Sequence, residues 1–181
     1  LEDTRITEMD GKFYIAYAAR SMHLLPFKNG ERRVGPDNNR NPTWTENFRR
    51  VGLAVTEDWK QVERLGPITS EHLCDANVVL FPQKTDGKYA FLHRPTTSLP
   101  WELVNRYCPG CIWICFSDEM KCHASDRREM PWDMEDGRDI PDDHLLIRPE
   151  YDWEGSKIGG SGVPIPTDDG WLVTYHAVDR Q

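Results

Sequence analysis

The sequence has no apolar run near the roughly 18 residues that a membrane-crossing helix requires, which excludes a helical membrane span. It has no basic block either. Lys and Arg number 22 against 30 Asp and Glu, a formal charge of -8, so neither a nucleic acid nor a membrane is an expected partner. Gly-x-Ser-x-Gly, Walker and strand-borne Gly-x-Gly-x-x-Gly patterns are missing, which removes the hydrolase elbow, the nucleotide P-loop and the dinucleotide fold. Lys157-Ile158-Gly159-Gly160-Ser161-Gly162 looks phosphate-friendly, but it runs into the extended Val163-Pro164-Ile165-Pro166, so no helix N-terminus backs it. Long helical patterns are also scarce, and Trp101 to Tyr107 would make two turns at most. The first thirty residues carry no basic region followed by an apolar core, so a secretory signal is not expected there. Five cysteines, Cys74, Cys108, Cys111, Cys115 and Cys122, are an odd number. At least one therefore lacks an internal partner, and a reduced, cytoplasmic setting is the expectation.

What is present is turn-rich and aromatic. The 181 residues, long enough for one domain, include 13 glycines, 13 prolines and 7 tryptophans, and 10% aromatics argue against disorder. The chain also repeats itself. Asp10-Gly11-Lys12-Phe13-Tyr14-Ile15 resembles Asp86-Gly87-Lys88-Tyr89-Ala90-Phe91, and both resemble Asp169-Gly170-Trp171-Leu172-Val173-Thr174. Each Asp-Gly predicts a tight hairpin turn leading into a β-prone run. Between them, Val51 to Asp58 resembles Ile112 to Glu119, each an alternating strand that runs into a polar turn. One unit is then a hairpin followed by two more strands, the four-stranded blade of a β-propeller. The chain predicts one blade from Arg5 to Gly66, a second from Val78 to Arg148, and a half blade from Lys157 to Val178. Propellers close with about four to eight blades, and the chain opens on Leu1 rather than methionine. The expectation is that residues 1–181 form part of a single all-β propeller domain truncated at both ends.

Two polar stretches, Asn29 to Asn47 and Asp118 to Asp143, read as loops. The acidic run from Asp133 fails as a calcium loop, because the twelfth position, where a glutamate belongs, is His144. Cys108-Pro109-Gly110-Cys111 reads as a turn flanked by structural cysteines. A zinc site would need two further ligands, with Cys122 and His123 the near candidates, and no metal is expected.

Charged residues mark the strand edges: Asp3 and Arg5, Arg50, His93 and Arg94, Lys157, and His176. Taken singly, each reads as an ordinary surface or ion-paired residue. Together they set one carboxylate against several cations, which suits a general acid opposite an anion site.

At these residues the chain resembles glycoside hydrolase family 130, the β-mannoside phosphorylases and β-mannosidases. The matching motifs are Glu2-Asp3-Thr4-Arg5-Ile6-Thr7, then Val79-Leu80-Phe81-Pro82 leading to Leu92-His93-Arg94-Pro95, then Ile112-Trp113-Ile114 leading to Ser117-Asp118. The longest runs from Trp153 through Lys157-Ile158-Gly159, Pro164-Ile165 and Gly170-Trp171-Leu172 to Tyr175-His176. The resemblance implies a five-bladed propeller, of which about two and a half blades are here. It implies inverting phosphorolysis of a β-mannoside oligosaccharide to mannose 1-phosphate, with inorganic phosphate as co-substrate and no cofactor. Asp3 would be the catalytic acid, its proton relayed through a hydroxyl of the bound mannose. Arg50 and His93 would bind phosphate, and Arg5, Arg94, Lys157 and His176 would line the substrate pocket.

Two positions depart from the family pattern. Thr4 replaces a proline, and Ala76, in Asp75-Ala76-Asn77, stands where phosphorylases carry lysine. The lost cation raises hydrolysis as an alternative, which needs a carboxylate base about 6.5–9.5 Å from the acid. Glu119, Glu150 and Glu154 are the available bases. A further alternative is a non-catalytic carbohydrate-binding or assembly module that self-associates through open sheet edges.

Overall fold

The computed structural model describes residues 2–20, 49–69, 75–95, 110–120, 143–155 and 157–179. Their architecture is all-β. Strands β1 (Glu2–Met9), β2 (Lys12–Arg20), β3 (Arg49–Thr56) and β4 (Glu63–Pro67) pair as an antiparallel meander in chain order. Strands β5 (Asp75–Leu80), β6 (Tyr89–Pro95), β7 (Ile112–Ser117) and β8 (Asp143–Ile147) repeat that order in a second sheet. Four more short strands follow: β9 (Lys157–Gly160), β10 (Ile165–Thr167), β11 (Gly170–Leu172) and β12 (Tyr175–Val178). β9 pairs with β12 and β10 with β11, so the four make one interrupted hairpin, the first half of a third blade. The Trp101 to Tyr107 stretch, expected to make two helical turns at most, and most of both predicted loops lie outside the described residues.

Turn chemistry accounts for the first two hairpins. Asp10 and Gly11 have φ of 52° and 73°, and Asp86 and Gly87 have φ of 51° and 80°. Positive φ at both loop residues is the geometry whose twist matches that of the flanking strands, and Asp-Gly tolerates it at low cost. The third hairpin departs from the predicted turn. Thr167 pairs with Gly170, so Asp168 and Asp169 are the loop residues and the glycine, at φ 127°, already belongs to β11. One extra aspartate shifts the loop by a residue.

The sheets stack face to face. Met9, Ala16, Ala18, Val51, Leu53 and Ile68 of the first pack against Val78, Leu80, Phe91 and Cys115 of the second. The opposite face of the second sheet, with Val79, Phe81, Ala90, Leu92 and Ile112, packs on Ile158 and on Trp171, Tyr175 and Ala177. β5 is therefore buried on both faces along its whole length, and its second half, Val78-Val79-Leu80, is apolar at every position rather than at alternate ones. Phe91 is fully buried, and losing such a ring to alanine costs about 3–5 kcal/mol. Polar bonds also tie the sheets. Thr7 Oγ1 donates to the Leu80 carbonyl at 2.9 Å, and Arg5 Nη2 reaches the Gly160 carbonyl at 3.3 Å. Gly110, at φ 79°, donates its N–H to Pro95 O at 3.0 Å and accepts from Ile158 N at 2.8 Å. The glycine of the Cys-Pro-Gly-Cys segment is thus a turn residue that ties the second sheet to β9. Against the expectation of reduced thiols, Cys111 is fully buried and disulfide-bonded. Cys108, Cys122 and His123 lie outside the described residues.

Candidate functional site

Topology brings the charged candidates to one end of the stack. β1, β5 and β9 begin there, β2, β6 and β12 finish there, and the three hairpin turns lie at the other end. Asp3 sits near the start of β1 in a β-bulge: Glu2 pairs with Ala18 and Arg5 with Ala16, three residues of advance against two. Its φ is 53°, a left-handed conformation that short Asp and Asn side chains tolerate better than other non-glycine residues. β5 repeats the device. Asn77, also at φ 53°, bulges between the Ala76–Arg94 and Val79–Leu92 pairs. A bulge re-aims a side chain out of the strict in–out alternation of a strand.

Around Asp3 the structure gathers positive charge. The Arg94 guanidinium is pushed down first by burial and then by Arg49 and Arg5, with Asp3 and Asp75 acting to hold its charge. Lys157 is pushed down by burial, Arg94 and Arg49, again opposed by Asp3. His176 is held below the ordinary histidine value by burial, then by Arg94 and Arg5, with Asp3 opposing and Lys157 adding to the depression. Asp3 thus lies among Arg5, Arg49, Arg94, Lys157 and a His176 held towards its neutral form, with Asp75 and Glu2 the other carboxylates that act on these cations. Arg94 Nη1 lies 3.5 Å from His176 Nε2, and His176 Nδ1 lies 3.0 Å from Ser161 Oγ. Arginine can only donate, so Nε2 accepts and the imidazole proton sits on Nδ1, facing Ser161. Gly159 makes the approach of the guanidinium and the imidazole feasible, because a Cβ there would lie 2.7 Å from Arg94 Nη1 and 3.0 Å from His176 Cε1.

Arg50 and His93, the expected phosphate ligands, each hold a bond within the chain. Arg50 donates from Nη2 to the Thr69 carbonyl at 3.0 Å, and its neighbour Arg49 supplies the charge that acts on Arg94 and Lys157. Adjacent strand residues point to opposite faces, so only one of the pair can join the cluster. Arg49 also ion-pairs with Glu2 at 3.5 Å. His93 is buried, its Nδ1 2.8 Å from Asp75 Oδ2, and it projects to the same face as Phe91 rather than that of Arg94. Asp75 itself carries two further bonds, accepting at Oδ1 from Ala76 N at 2.8 Å and Arg94 N at 3.0 Å. A single buried carboxylate therefore orients both residues of the His-Arg pair. Sequence reasoning missed Arg49, Asp75 and Asn77. The only signal for the last two was an acid and an amide flanking Ala76 at the start of an apolar strand.

The proposed bases are also sorted. Glu119 follows β7 at the hairpin end, away from the cluster. Glu154 is buried, and its carboxylate accepts from Glu150 N at 2.6 Å, Tyr151 N at 3.0 Å and the Tyr175 hydroxyl at 2.6 Å. These bonds, led by that of Tyr175, lower the Glu154 pKa and make it a poor proton acceptor. Glu150 remains, exposed, ahead of β9. The same hydrogen bond pushes Tyr175 up to about 12. In an alkaline titration followed by ultraviolet absorbance, one of the six tyrosines should ionise only near pH 12. Glu154→Gln removes the charge and should return that phenol to the ordinary range. Ionisation of all six together in the wild type would refute the clamp.

A family model described as beta-1,4-mannooligosaccharide phosphorylase matches residues 1–181. The chain is 32% identical over 180 residues to a 1,2-beta-oligomannan phosphorylase of Thermoanaerobacter sp., covering 99% of this chain and 43% of the relative. It is 34% identical over 129 residues to a beta-1,4-mannooligosaccharide phosphorylase of Ruminococcus albus, covering 71% and 31%. Among solved structures, the beta-1,2-mannobiose phosphorylase from Listeria innocua, in complex with beta-1,2-mannobiose, superposes with a TM-score of 0.59 at 26% identity. That match covers 98% of this chain and 36% of the other. The chain spans less than half the length of these relatives.

Proposed function

The chain belongs to glycoside hydrolase family 130, and on that premise we propose that it carries the catalytic acid and the anion-binding face of an inverting β-mannoside phosphorylase. The observation that carries the reading is the Asp3 carboxylate set in a bulge among Arg5, Arg49, Arg94, Lys157 and His176, where cations outnumber the carboxylates Asp3, Glu2 and Asp75. In the proposed reaction a β-mannoside oligosaccharide and inorganic phosphate are the substrates. Asp3 gives up a proton that reaches the glycosidic oxygen by way of a sugar hydroxyl, and the bond from that oxygen to the anomeric carbon breaks. A phosphate oxygen bonds to the same carbon from the opposite face, which inverts its configuration and yields mannose 1-phosphate. The nucleophile arrives as an anion, so the site needs cations to hold it and no second carboxylate to activate it.

Hydrolysis would need that second carboxylate. Glu119 lies at the far end of its sheet and Glu154 is tied by three hydrogen bonds, which leaves only the exposed Glu150 of the three as a base for hydrolysis. Arg94 lies directly across from Ala76 in the β5–β6 ladder and supplies a cation beside the vacated position. The test is product analysis on β-1,2- and β-1,4-linked mannosides, the linkages in the relatives' names, with and without phosphate. Mannose 1-phosphate formed only when phosphate is present is the expected result. Free mannose formed at the same rate without phosphate would overturn the proposal in favour of a hydrolase.

A further inference from the structure

Tyr151 and Trp153 belong to a one-turn 3₁₀ helix, Asp152–Glu154 with Tyr151 as its cap, that delivers the chain towards β9. Their rings stack at 6.2 Å and 9°, and Trp153 stacks in turn on Tyr175 of β12 at 5.8 Å and 18°. Despite two stacking partners, Trp153 is 51% exposed, and Tyr151 is 61% exposed. Trp153 is therefore held in a parallel stack with Tyr151 and Tyr175, and it and the terminal ring, Tyr151, remain more than half exposed to water.

They are held firmly. The buried Glu154 carboxylate binds the Tyr151 N–H, which fixes the backbone under the first ring. Its other oxygen binds the Tyr175 hydroxyl, which fixes the ring behind Trp153. Such a platform loses little freedom when a ligand lands on it. Its position is also informative. Trp153 lies four residues before Lys157, and Tyr175 immediately precedes His176. Neighbouring residues of β12 point to opposite faces, so the platform flanks the charged cluster without entering it.

We propose that Tyr151, backed by Trp153, forms a saccharide subsite, its outer ring face stacking on a sugar ring of the β-mannoside beyond the rings held at the point of cleavage. This rests on the phosphorylase reading above. The chemistry fits the ligand. A β-mannopyranoside ring carries axial hydrogens at C1, C3 and C5 on the face opposite its axial 2-hydroxyl. That C–H face is flat, apolar and weakly positive, and it matches the negative face of an aromatic ring.

The experiment compares kcat/KM for a β-mannohexaose and a β-mannobiose in the active enzyme and its Trp153→Ala and Tyr151→Ala variants. The ratio of the long to the short substrate should fall about 3- to 10-fold in each, carried by KM and not by kcat. An unchanged ratio, whether activity is kept or both substrates lose equally, would overturn the subsite. Calorimetric titration with mannohexaose separates the two proposals. If the enzyme releases no mannose 1-phosphate, yet binds hexaose and loses that binding in Trp153→Ala, phosphorolysis fails and the subsite stands. If hexaose binding is unaffected by Trp153→Ala, the subsite fails by itself.

Discussion

Asp3→Asn is expected to lower turnover about 10²- to 10⁴-fold, the range that a general acid contributes, while leaving the fold in place. Asparagine keeps the size of the side chain, and it accepts the left-handed backbone at φ 53° that the bulge imposes. It removes only the proton. Alanine is a poorer test, because a residue without a short polar side chain pays roughly 1–2 kcal/mol in that conformation. Loss of activity in Asp3→Ala would therefore mix chemistry with backbone strain. A substrate whose leaving group departs without protonation, such as an aryl mannoside, should lose far less in Asp3→Asn than mannobiose does. Equal losses on the two substrates, or near wild-type turnover on mannobiose, would remove Asp3 from the acid role. Circular dichroism and thermal unfolding confirm that the variant is folded.

Arg94→Met should raise the KM for phosphate by about 30-fold or more, since deleting one buried, hydrogen-bonded charge costs roughly 2–5 kcal/mol. Arg94→Lys, which keeps the charge but loses the planar fork, should fall between wild type and Met. The change has a second readout in His176. Burial and then Arg94 hold that imidazole neutral, so removing Arg94 should raise its pKa, seen as a shifted titration of its ring protons by NMR. Phosphate bound in the wild type should move it the same way, because an anion favours the imidazolium. Phosphate affinity should accordingly rise as pH falls through the His176 titration. The stability linkage has the opposite sign. A histidine whose folded pKa is depressed stabilises the fold above its ordinary value, and that contribution is lost as pH falls through the folded pKa. An unchanged phosphate KM in Arg94→Met would take Arg94 out of the anion site.

Exposed apolar residues border the stack. Ile6 on the first sheet and Ile165, Leu172 and Val178 on the last ribbon remain 42–54% exposed. Large apolar side chains on an outer sheet face are a surface on which another sheet can pack.

Local chemistry was legible in the sequence. Asp10-Gly11 and Asp86-Gly87 encode their own turns, because positive φ at two successive residues leaves few other choices of residue. Alternating runs after each turn gave the strands, and their repetition gave the blades and the half blade that ends at Val178. The third turn was misplaced because Asp168-Asp169-Gly170 offers two registers a residue apart, and tertiary pairing selects one.

The members of the charge cluster were legible as types but not as a set. Arg49 and Arg50 are identical neighbours in sequence, and only the register of β3 against β2 and β4 decides which enters the cluster. His93 and Arg94 pose the same problem, settled by a carboxylate 18 residues upstream of the histidine. Glu154 looked like a base until the fold set Tyr175, 21 residues away in the chain, against it. Turns and strands follow from interactions within a few residues, which a sequence displays. The face that a side chain takes, and the charges that share its space, depend on bulges, register and the stacking of sheets. The bond from Arg5 to the carbonyl of Gly160, 155 residues along the chain, exists only once three sheets have come together.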